Sequence, residues 1–378
     1  MKKTFVFKLY TSKKNKQFHG YMNDAASIYN HCIALHKRYY KLFGKYLNKY
    51  QLQKHLTKLK KTEQYTHWKN VPSQAIQDIT DRIDRAYQLF FKQEKKGIVK
   101  PPSFRKREKY RSITLKQAGF KLFDDNRIQI GKKVFKFFKS RSIEGVIKTL
   151  TIKRDFLGDI YLFFACEVEN LNQNRAMTGK NAGFDFGLKT FLTSSDGIKI
   201  DSPLFFKAGT QKIKQANRGV STKKRGSNNR KKAVAHNARC HKKVANQRKD
   251  YHFKLAQLLV KEYDNLFFES LSLKGMQRLW GRKINDLGFS NFLLTVKYYG
   301  ERVGARIHLI DKFYPSSKTC HVCQNINEGL SLKDRSWQCS VCNIMHDRDI
   351  NAAINIKIVG ASTIGLGDVR PINLAIAA

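Results

Sequence analysis

The chain is 378 residues long, with 41% hydrophobic and 12% aromatic residues, which is enough apolar side chain for two or three packed modules and too much for wholesale disorder. Its 73 Lys and Arg oppose 29 Asp and Glu, a formal net charge of +44; such an excess self-repels unless a polyanion neutralises it, so nucleic acid is the expected partner. No apolar run approaches the ~20 residues of a spanning helix, and the stretch after Met1-Lys2-Lys3 is broken by Lys8. A signal-peptide core is thereby excluded, and a cytoplasmic protein with no membrane partner is expected.

Thr4 to Tyr10 reads as a strand. From Met22 the period changes, with Met22, Ala25, Ala26, Tyr29, Ile33 and Tyr40 on one helical face. Leu52, Leu56 and Leu59 mark a second helix. In a third, Ser73 is the expected N-cap and Ile76, Ile79, Ile83, Ala86 and Phe90 recur at helical spacing. Residues 20 to 95 should therefore be all-helical. Pro101-Pro102 ends that block, and short strands follow at 111 to 115, 127 to 130, 149 to 152 and 161 to 168, punctuated by turns at Asp124-Asp125-Asn126 and Gly158-Asp159. A small barrel or sheet, completed by the N-terminal strand and interrupted by the helical insertion, is the expected product.

A third module opens at Ala182 with a strand holding Asp185, a turn at Ser194 to Gly197 and a paired strand at Ile198 to Ile200. Between Asp201 and Asp250 stand fifteen Lys or Arg and no acid. The Gly226 region reads equally well as a solvated arm, whereas the later part, with Ala and Leu at helical intervals, predicts a basic helix against nucleic acid. Leu266 to Glu269 is a buried strand ending in a carboxylate, Phe292 to Val303 an amphipathic helix, Arg306 to Ile310 a strand, and a last helix starts near Asp349. That is the element order of an RNase H-like fold.

Two-metal hydrolysis of a phosphodiester needs carboxylates that hold a pair of divalent cations, and hard cations such as magnesium select carboxylate oxygens. Asp185, Glu269 and Asp349 can converge at one sheet end, with the flanking Phe184 and Phe186 turned to the opposite face. Of the seven cysteines, Cys320-x2-Cys323 and Cys339-x2-Cys342 form two tight pairs. Their spacing predicts one closed, structural zinc site of four thiolates, stapling the loop before the last helix. Cys32, at helical spacing among apolar residues, reads as a small buried hydrophobe.

At these residues the chain resembles the TnpB family, RNA-guided nucleases of bacterial insertion sequences related to type V CRISPR effectors. The resemblance lies in Pro72-Ser73-Gln74, Gly226-Ser227-Asn228-Asn229-Arg230, Val244 to Asp250, Pro315-Ser316-Ser317 and His346-Asp347-Arg348-Asp349-Ile350-Asn351-Ala352-Ala353. It implies an α+β multidomain chain. A wedge-type β-barrel would occupy 1–18 and 103–178, with a helical recognition module inserted at 19–102. A RuvC-like (RNase H-like) α/β nuclease domain would occupy 179–318 and 344–360, with an embedded zinc ribbon at 319–343 and a flexible tail at 361–378.

The resemblance puts the catalytic triad on Asp185, Glu269 and Asp349 rather than Asp347, with two Mg2+ ions beside the one structural Zn2+. It implies cleavage of double-stranded DNA next to a short flanking motif, directed by a transposon-derived guide RNA and carried out by a monomer or a dimer on one RNA. Nucleic-acid contacts are expected at Arg225, Asn229, Arg230, Lys232, Lys243, Asn246, Arg248 and Lys249. Two alternatives share the fold: an RNA-guided regulator with a silent nuclease, and a guide-free transposase. The chain departs from the family pattern at Phe184, Phe186 and Ser270, and at Gln324 and Asn343, where glycine usually follows each cysteine pair. Gln tolerates a left-handed backbone poorly, so a looser first knuckle is expected.

Overall fold

The structure is a computed structural model and describes residues 2–93, 99–116, 119–169, 176–271, 273–331 and 333–366. The chain divides into two compact units, Met1–Asn170 and Leu171–Ala378. Among the described residues no helix is long and apolar enough to cross a membrane.

The first unit opens with β1 (Lys2–Lys8), followed by α1 (Lys16–Phe43), α2 (Lys49–Leu59), a 3-10 segment over Glu63–Asn70 and α3 (Ser73–Gln93). Each helix end has a local cause. Gly44, at φ 61°, ends α1 by supplying the left-handed turn that side chains resist, and Asn48 with Gln51 forms a capping box on α2. Ser73, expected as a cap, is the first helical residue instead, because the Pro72 carbonyl already accepts from Ile76 N at 3.2 Å.

Strands β2 (Ser112–Leu115), β3 (Phe120–Leu122), β4 (Arg127–Ile130), β5 (Lys133–Lys136), β6 (Val146–Arg154) and β7 (Ile160–Glu167) complete the unit. They sort into a four-stranded sheet, β1-β7-β6-β2, and a three-stranded one, β3-β4-β5, joined where Leu9 bridges Phe137. Helices and sheets share one continuous core that runs from Phe5 and Phe18 through Ile76 and Ile83 to Phe137 and Phe164. Arg82 of α3 reaches β2 with Nη2 donating to Thr114 Oγ1 at 2.6 Å. Helical block and strands therefore bury their apolar faces against each other.

The second unit contains β8 (Asn181–Asp185), β9 (Thr190–Ser194), β10 (Lys199–Asp201), α4 (Phe205–Ser221), α5 (Asn228–Glu262) and β11 (Asn265–Glu269). It continues with α6 (Leu273–Leu287), α7 (Phe289–Val303), β12 (Arg306–Ile310), β13 (Ser336–Gln338), β14 (Met345–Asp347) and α8 (Arg348–Thr363). Its main sheet has the order β10-β9-β8-β11-β12. β8, β9 and β10 pair antiparallel, while β11 runs parallel to both β8 and β12. Helices α5 and α7 are the crossovers that a parallel pairing requires.

Alternation sorts the two faces of this sheet. Ala182, Phe184, Leu266 and Phe268 pack with α5 and α7 residues such as Leu255, Phe292 and Val296, and Phe267 packs with Ile356 and Ala361 of α8 on the other face. Helix α8 lies very close to the strands. A Cβ on Gly183 would stand 2.1 Å from the Ala353 carbonyl oxygen, and one on Gly360 would stand 2.2 Å from Cδ1 of Phe267. Residues 367–378 of the expected tail lie outside the described residues, and 361–363 are still helical.

The basic tract differs from its expected form. It is a hairpin of two helices, α4 and the 35-residue α5, and α4 and α6 have no counterpart in the sequence-based order. The Gly226 region is a built turn rather than a solvated arm. Gly226 takes φ 85°, Ser227 Oγ accepts from Arg230 N, and Arg230 Nη1 donates to the Val220 and Lys223 carbonyls at 2.6 and 3.1 Å. That guanidinium caps the carboxyl end of α4.

Candidate active site and cysteine centre

The register of the parallel strands builds the carboxylate site. Phe184 faces Phe268 across β8 and β11, so the next residue of each strand, Asp185 and Glu269, turns to the α8 face at the strands' carboxyl ends. Asp349 comes from the first turn of α8. Burial raises Asp185 to about 7, the Asp349 and Glu269 charges push in the same direction, and Arg348 and the Phe186 N–H only partly offset them. Burial likewise raises Glu269 to about 7. Two strand ends and a helix start thus bring three acids together, with Asp185 repelled by the other two.

Asp347, two residues earlier, does different work. Its side chain caps α8 by accepting from Asp349 N and Ile350 N, and it pairs with Lys199 Nζ at 2.6 Å. Burial pushes its pKa up, but the Lys199 bond and the two backbone donors outweigh that and leave it low. Sequence reasoning missed Arg335, whose Nη1 stands 3.7 Å from Asp349 Oδ1. Arg335 lies between the two cysteine pairs, so only the folded insertion brings it to the carboxylates.

The four cysteine sulfurs all lie within 4.8 Å of one another, with Cys320 and Cys342 at 3.6 Å and Cys323 and Cys339 at 3.5 Å. A tetrahedron with zinc-sulfur bonds of about 2.3 Å has edges of about 3.8 Å, so the donor set fits that ion. Among the described residues this is the group of His, Cys, Asp and Glu side chains already closed to ligand-holding distances. The two knuckles are near-copies. Gln324 N donates to Cys320 O at 2.9 Å and Asn343 N to Cys339 O at 2.9 Å, and Gln324 and Asn343 take φ 63° and 57°. The first knuckle is no looser than the second, because its hydrogen bond holds Gln324 in the left-handed region. His346 Nε2 sits 3.1 Å from Cys320 Sγ as an outer partner.

Helix α8 is clamped to this insertion by two buried asparagines. Asn351 Nδ2 donates to Thr319 O at 2.8 Å, and Asn355 Nδ2 donates to Ser316 O and Thr319 O at 2.8 and 2.6 Å. Asn351 Oδ1 in turn accepts from His321 N at 3.1 Å. The Pro315-Ser316-Ser317 stretch and the Asn351-Ala352-Ala353 stretch are two halves of one joint. Its effect is to lock the cysteine centre to the helix that carries Asp349.

A family described as "Probable transposase" matches residues 163–279, and one described as "Cas12f1-like, TNB domain" matches residues 289–356. A curated Streptomyces pristinaespiralis protein named "Putative RNA-guided DNA endonuclease" is 30% identical over 84% of this chain and 79% of its own length. The "TnpB-like protein L770" of Acanthamoeba polyphaga mimivirus is 29% identical over 71% of this chain and 53% of its own. The chain belongs to the TnpB family. Its α+β fold is similar to that of a solved "mini-RNA-guided endonuclease", CRISPR-Cas_phi3, with a TM-score of 0.50 at 10% identity, covering 95% of this chain and 92% of that one.

In this TnpB chain the expected nucleic-acid residues divide into two groups. Arg225, Asn229, Lys232, Lys243, Asn246 and Lys249 are exposed along the α4–α5 hairpin. Arg230 and Arg248 are half-buried and have internal partners. Arg248 Nη1 donates to Asn285 O and Asp286 O at 2.7 and 3.2 Å, and His252, one turn on, bonds the Leu287 carbonyl at 2.9 Å. Burial lowers the His252 pKa to about 4, so it stays neutral. Asp286 closes the joint by accepting from Phe206 N at 3.0 and 2.9 Å, which caps α4 from 80 residues away. Within the Val244 to Asp250 motif, buried Val244 and internally bonded Arg248 therefore assemble the fold, while the other five residues are exposed.

Proposed function

We propose that this chain is an RNA-guided DNA endonuclease, cutting double-stranded DNA beside a short flanking motif at one centre formed by Asp185, Glu269 and Asp349. The observation that carries this is the convergence of the three acids from β8, β11 and α8, with Asp185 and Glu269 both held near pKa 7. Acids raised in this way are stabilised when cations replace their protons. A bound pair of magnesium ions would supply charge stabilisation to the attacking and leaving oxygens of an in-line displacement. The chain's own part is to present the oxygens from rigid strand ends and a capped helix. Arg335, beside Asp349, adds positive charge where a phosphate would lie.

The cysteine set would hold one zinc as a closed structural site, keeping α8 in register through Asn351 and Asn355. On this reading the five-stranded sheet with its helices is a RuvC-like nuclease domain, and the first unit is a wedge-type barrel carrying a helical recognition module. Guide RNA and target DNA would neutralise the +44 charge, with base pairing reading the target and protein reading the flank. The names of the relatives support this assignment.

The test is to express the chain with its native flanking DNA, sequence the bound RNA, and challenge the complex with a plasmid library randomised beside the matching target. The expected result is magnesium-dependent cleavage, depletion of one flanking motif, and loss of cutting in Asp185→Asn. Tight guide-dependent binding without cutting would replace the nuclease by a regulator. Cutting that survives removal of all RNA would replace it by a guide-free transposase.

A further inference from the structure

Past the end of β1 the chain still bonds β7, with Leu9 N donating to Ile160 O at 2.9 Å, and pairs along its other edge with the segment after β5. Leu9 bridges Phe137, Tyr10 N donates to Lys136 O at 3.0 Å, and Phe138 N donates to Lys8 O at 2.8 Å. Leu9 and Phe137 point into the core, so alternation turns Tyr10 and Phe138 outward as diagonal neighbours on one face. Their rings stack with centroids 3.8 Å apart and 27° between planes, yet Tyr10 is 41% and Phe138 47% exposed. Each ring is thus covered by the other on one face and still close to half exposed.

Tyr10 of the pair also lines a cavity of about 300 Å³, together with Ser12, Lys14, Asn15, Arg127 and Lys136, among others, at the small end of the range for ligand sites. Its wall is held by local bonds. Asn15 Nδ2 donates to Tyr10 O at 2.9 Å, Ser12 Oγ accepts from Lys14 N, and Arg127 Nε donates to Asp125 Oδ2 at 2.5 Å. The nearby acids are Asp125, bound by Arg127, and Asp159, paired with Lys8 at 2.9 Å; Lys139 Nζ is taken up by the Asp124 and Asp125 carbonyls. Flat exposed rings beside a cationic pocket suit one class of ligand: a nucleotide whose base extends the stack and whose phosphate enters the pocket.

We propose that Tyr10 and Phe138 form a stacking platform that, with the Lys14–Arg127–Lys136 pocket, seats one unpaired nucleotide of the guide RNA. This rests on the RNA-guided reading above. RNA is favoured over the displaced DNA strand because folded RNA fixes splayed bases in loops and bulges that a one-nucleotide pocket can hold, whereas a displaced strand is tracked along a continuous groove.

The test uses full-length protein and the RNA that co-purifies with it. Base-aromatic stacking is worth about 1–3 kcal/mol per base, so Tyr10→Ala/Phe138→Ala should weaken RNA binding by roughly 5- to 150-fold with an unchanged salt slope. Lys14→Ala/Lys136→Ala should flatten that slope by one to two ions. Tyr10→Phe should bind as wild type, and an unchanged melting temperature in the double alanine variant separates loss of the platform from misfolding. A single-strand-specific nuclease should gain one cut in the variant complex that wild type protects. Wild-type affinity with an unchanged footprint in the double variant overturns the platform alone, and so does a defect confined to DNA binding with RNA binding intact. If the wild-type chain carries no discrete RNA, the RNA-guided reading itself fails.

Discussion

The second unit holds two candidate metal centres built on opposite principles. The cysteine sulfurs stand at distances close to the edges of a tetrahedron, locked by paired knuckle hydrogen bonds, so the fold has already brought the donors together. The carboxylates instead carry buried charge: burial and the Asp349 and Glu269 charges raise Asp185 to about 7, and burial raises Glu269 to about 7. A structural site gains from closure, because its ion is part of the fold. A hydrolytic site gains from remaining open, because its ions must also meet a phosphate and a water.

The largest way to break this contrast is at Asp185. Removing one ligand of a metal centre forfeits several kcal/mol of transition-state stabilisation, at about 1.4 kcal/mol per tenfold, so Asp185→Asn should cut cleavage by on the order of a thousandfold or more. The same change should raise the melting temperature of metal-free protein at pH 8. The folded pKa of about 7 exceeds the unfolded value of about 3.9, so the native state favours the proton. That stabilisation is fully present below about pH 4 and is lost as pH rises through 7. Asn keeps it, so calorimetry should find the variant's advantage at pH 8 and none at pH 4.

Cys320→Ser tests the other centre and should do the reverse. Zinc content should fall from one per chain towards zero, with a lower melting temperature rather than a higher one. Retention of one tightly bound zinc would end the four-thiolate assignment. Intermediate in size is the pH response of cutting. At low magnesium, rates should rise through about pH 7 by up to tenfold per unit as protons leave Asp185 and Glu269, and added magnesium should move the midpoint to lower pH. A flat profile from pH 6 to 8 at limiting magnesium would show that the raised acids play no part.

Legibility in the sequence followed how local each cause is. β4 and β12 were legible to the residue, because each follows a short alternating or apolar run with its own turn signals. The cysteine pairs were legible because knuckle geometry is a spacing of four residues. Helix α4 was not, because the Asp286 carboxylate that caps it stands 80 residues away. The internal roles of Arg230 and Arg248, expected as nucleic-acid contacts, were not legible, because a cation in a basic tract looks the same whether it meets a phosphate or a carbonyl. Only the fold reveals the carbonyl partners at 2.6 and 2.7 Å. Arg335 was invisible for the same reason: its place beside Asp349 depends on the whole insertion closing.

The smallest effect separates the two knuckles. Gln324 and Asn343 occupy equivalent left-handed positions with equivalent hydrogen bonds, but their intrinsic costs differ. Left-handed backbone costs an ordinary side chain roughly 1–2 kcal/mol, while Asn visits it readily. Glycine removes that cost and returns about 0.4–1 kcal/mol through the freer unfolded chain. Gln324→Gly should therefore stabilise the zinc-loaded protein by about 0.5–1 kcal/mol, a shift of a few degrees at most in a unit of this size. Asn343→Gly should be neutral or slightly destabilising, since the substitution relieves little strain and frees the unfolded chain, while the backbone carbonyl that accepts from Gln338 Nε2 at 3.0 Å is kept. Equal shifts in both variants would mean that the knuckle hydrogen bonds, rather than the residue in the left-handed position, set the stability of each half of the cysteine centre.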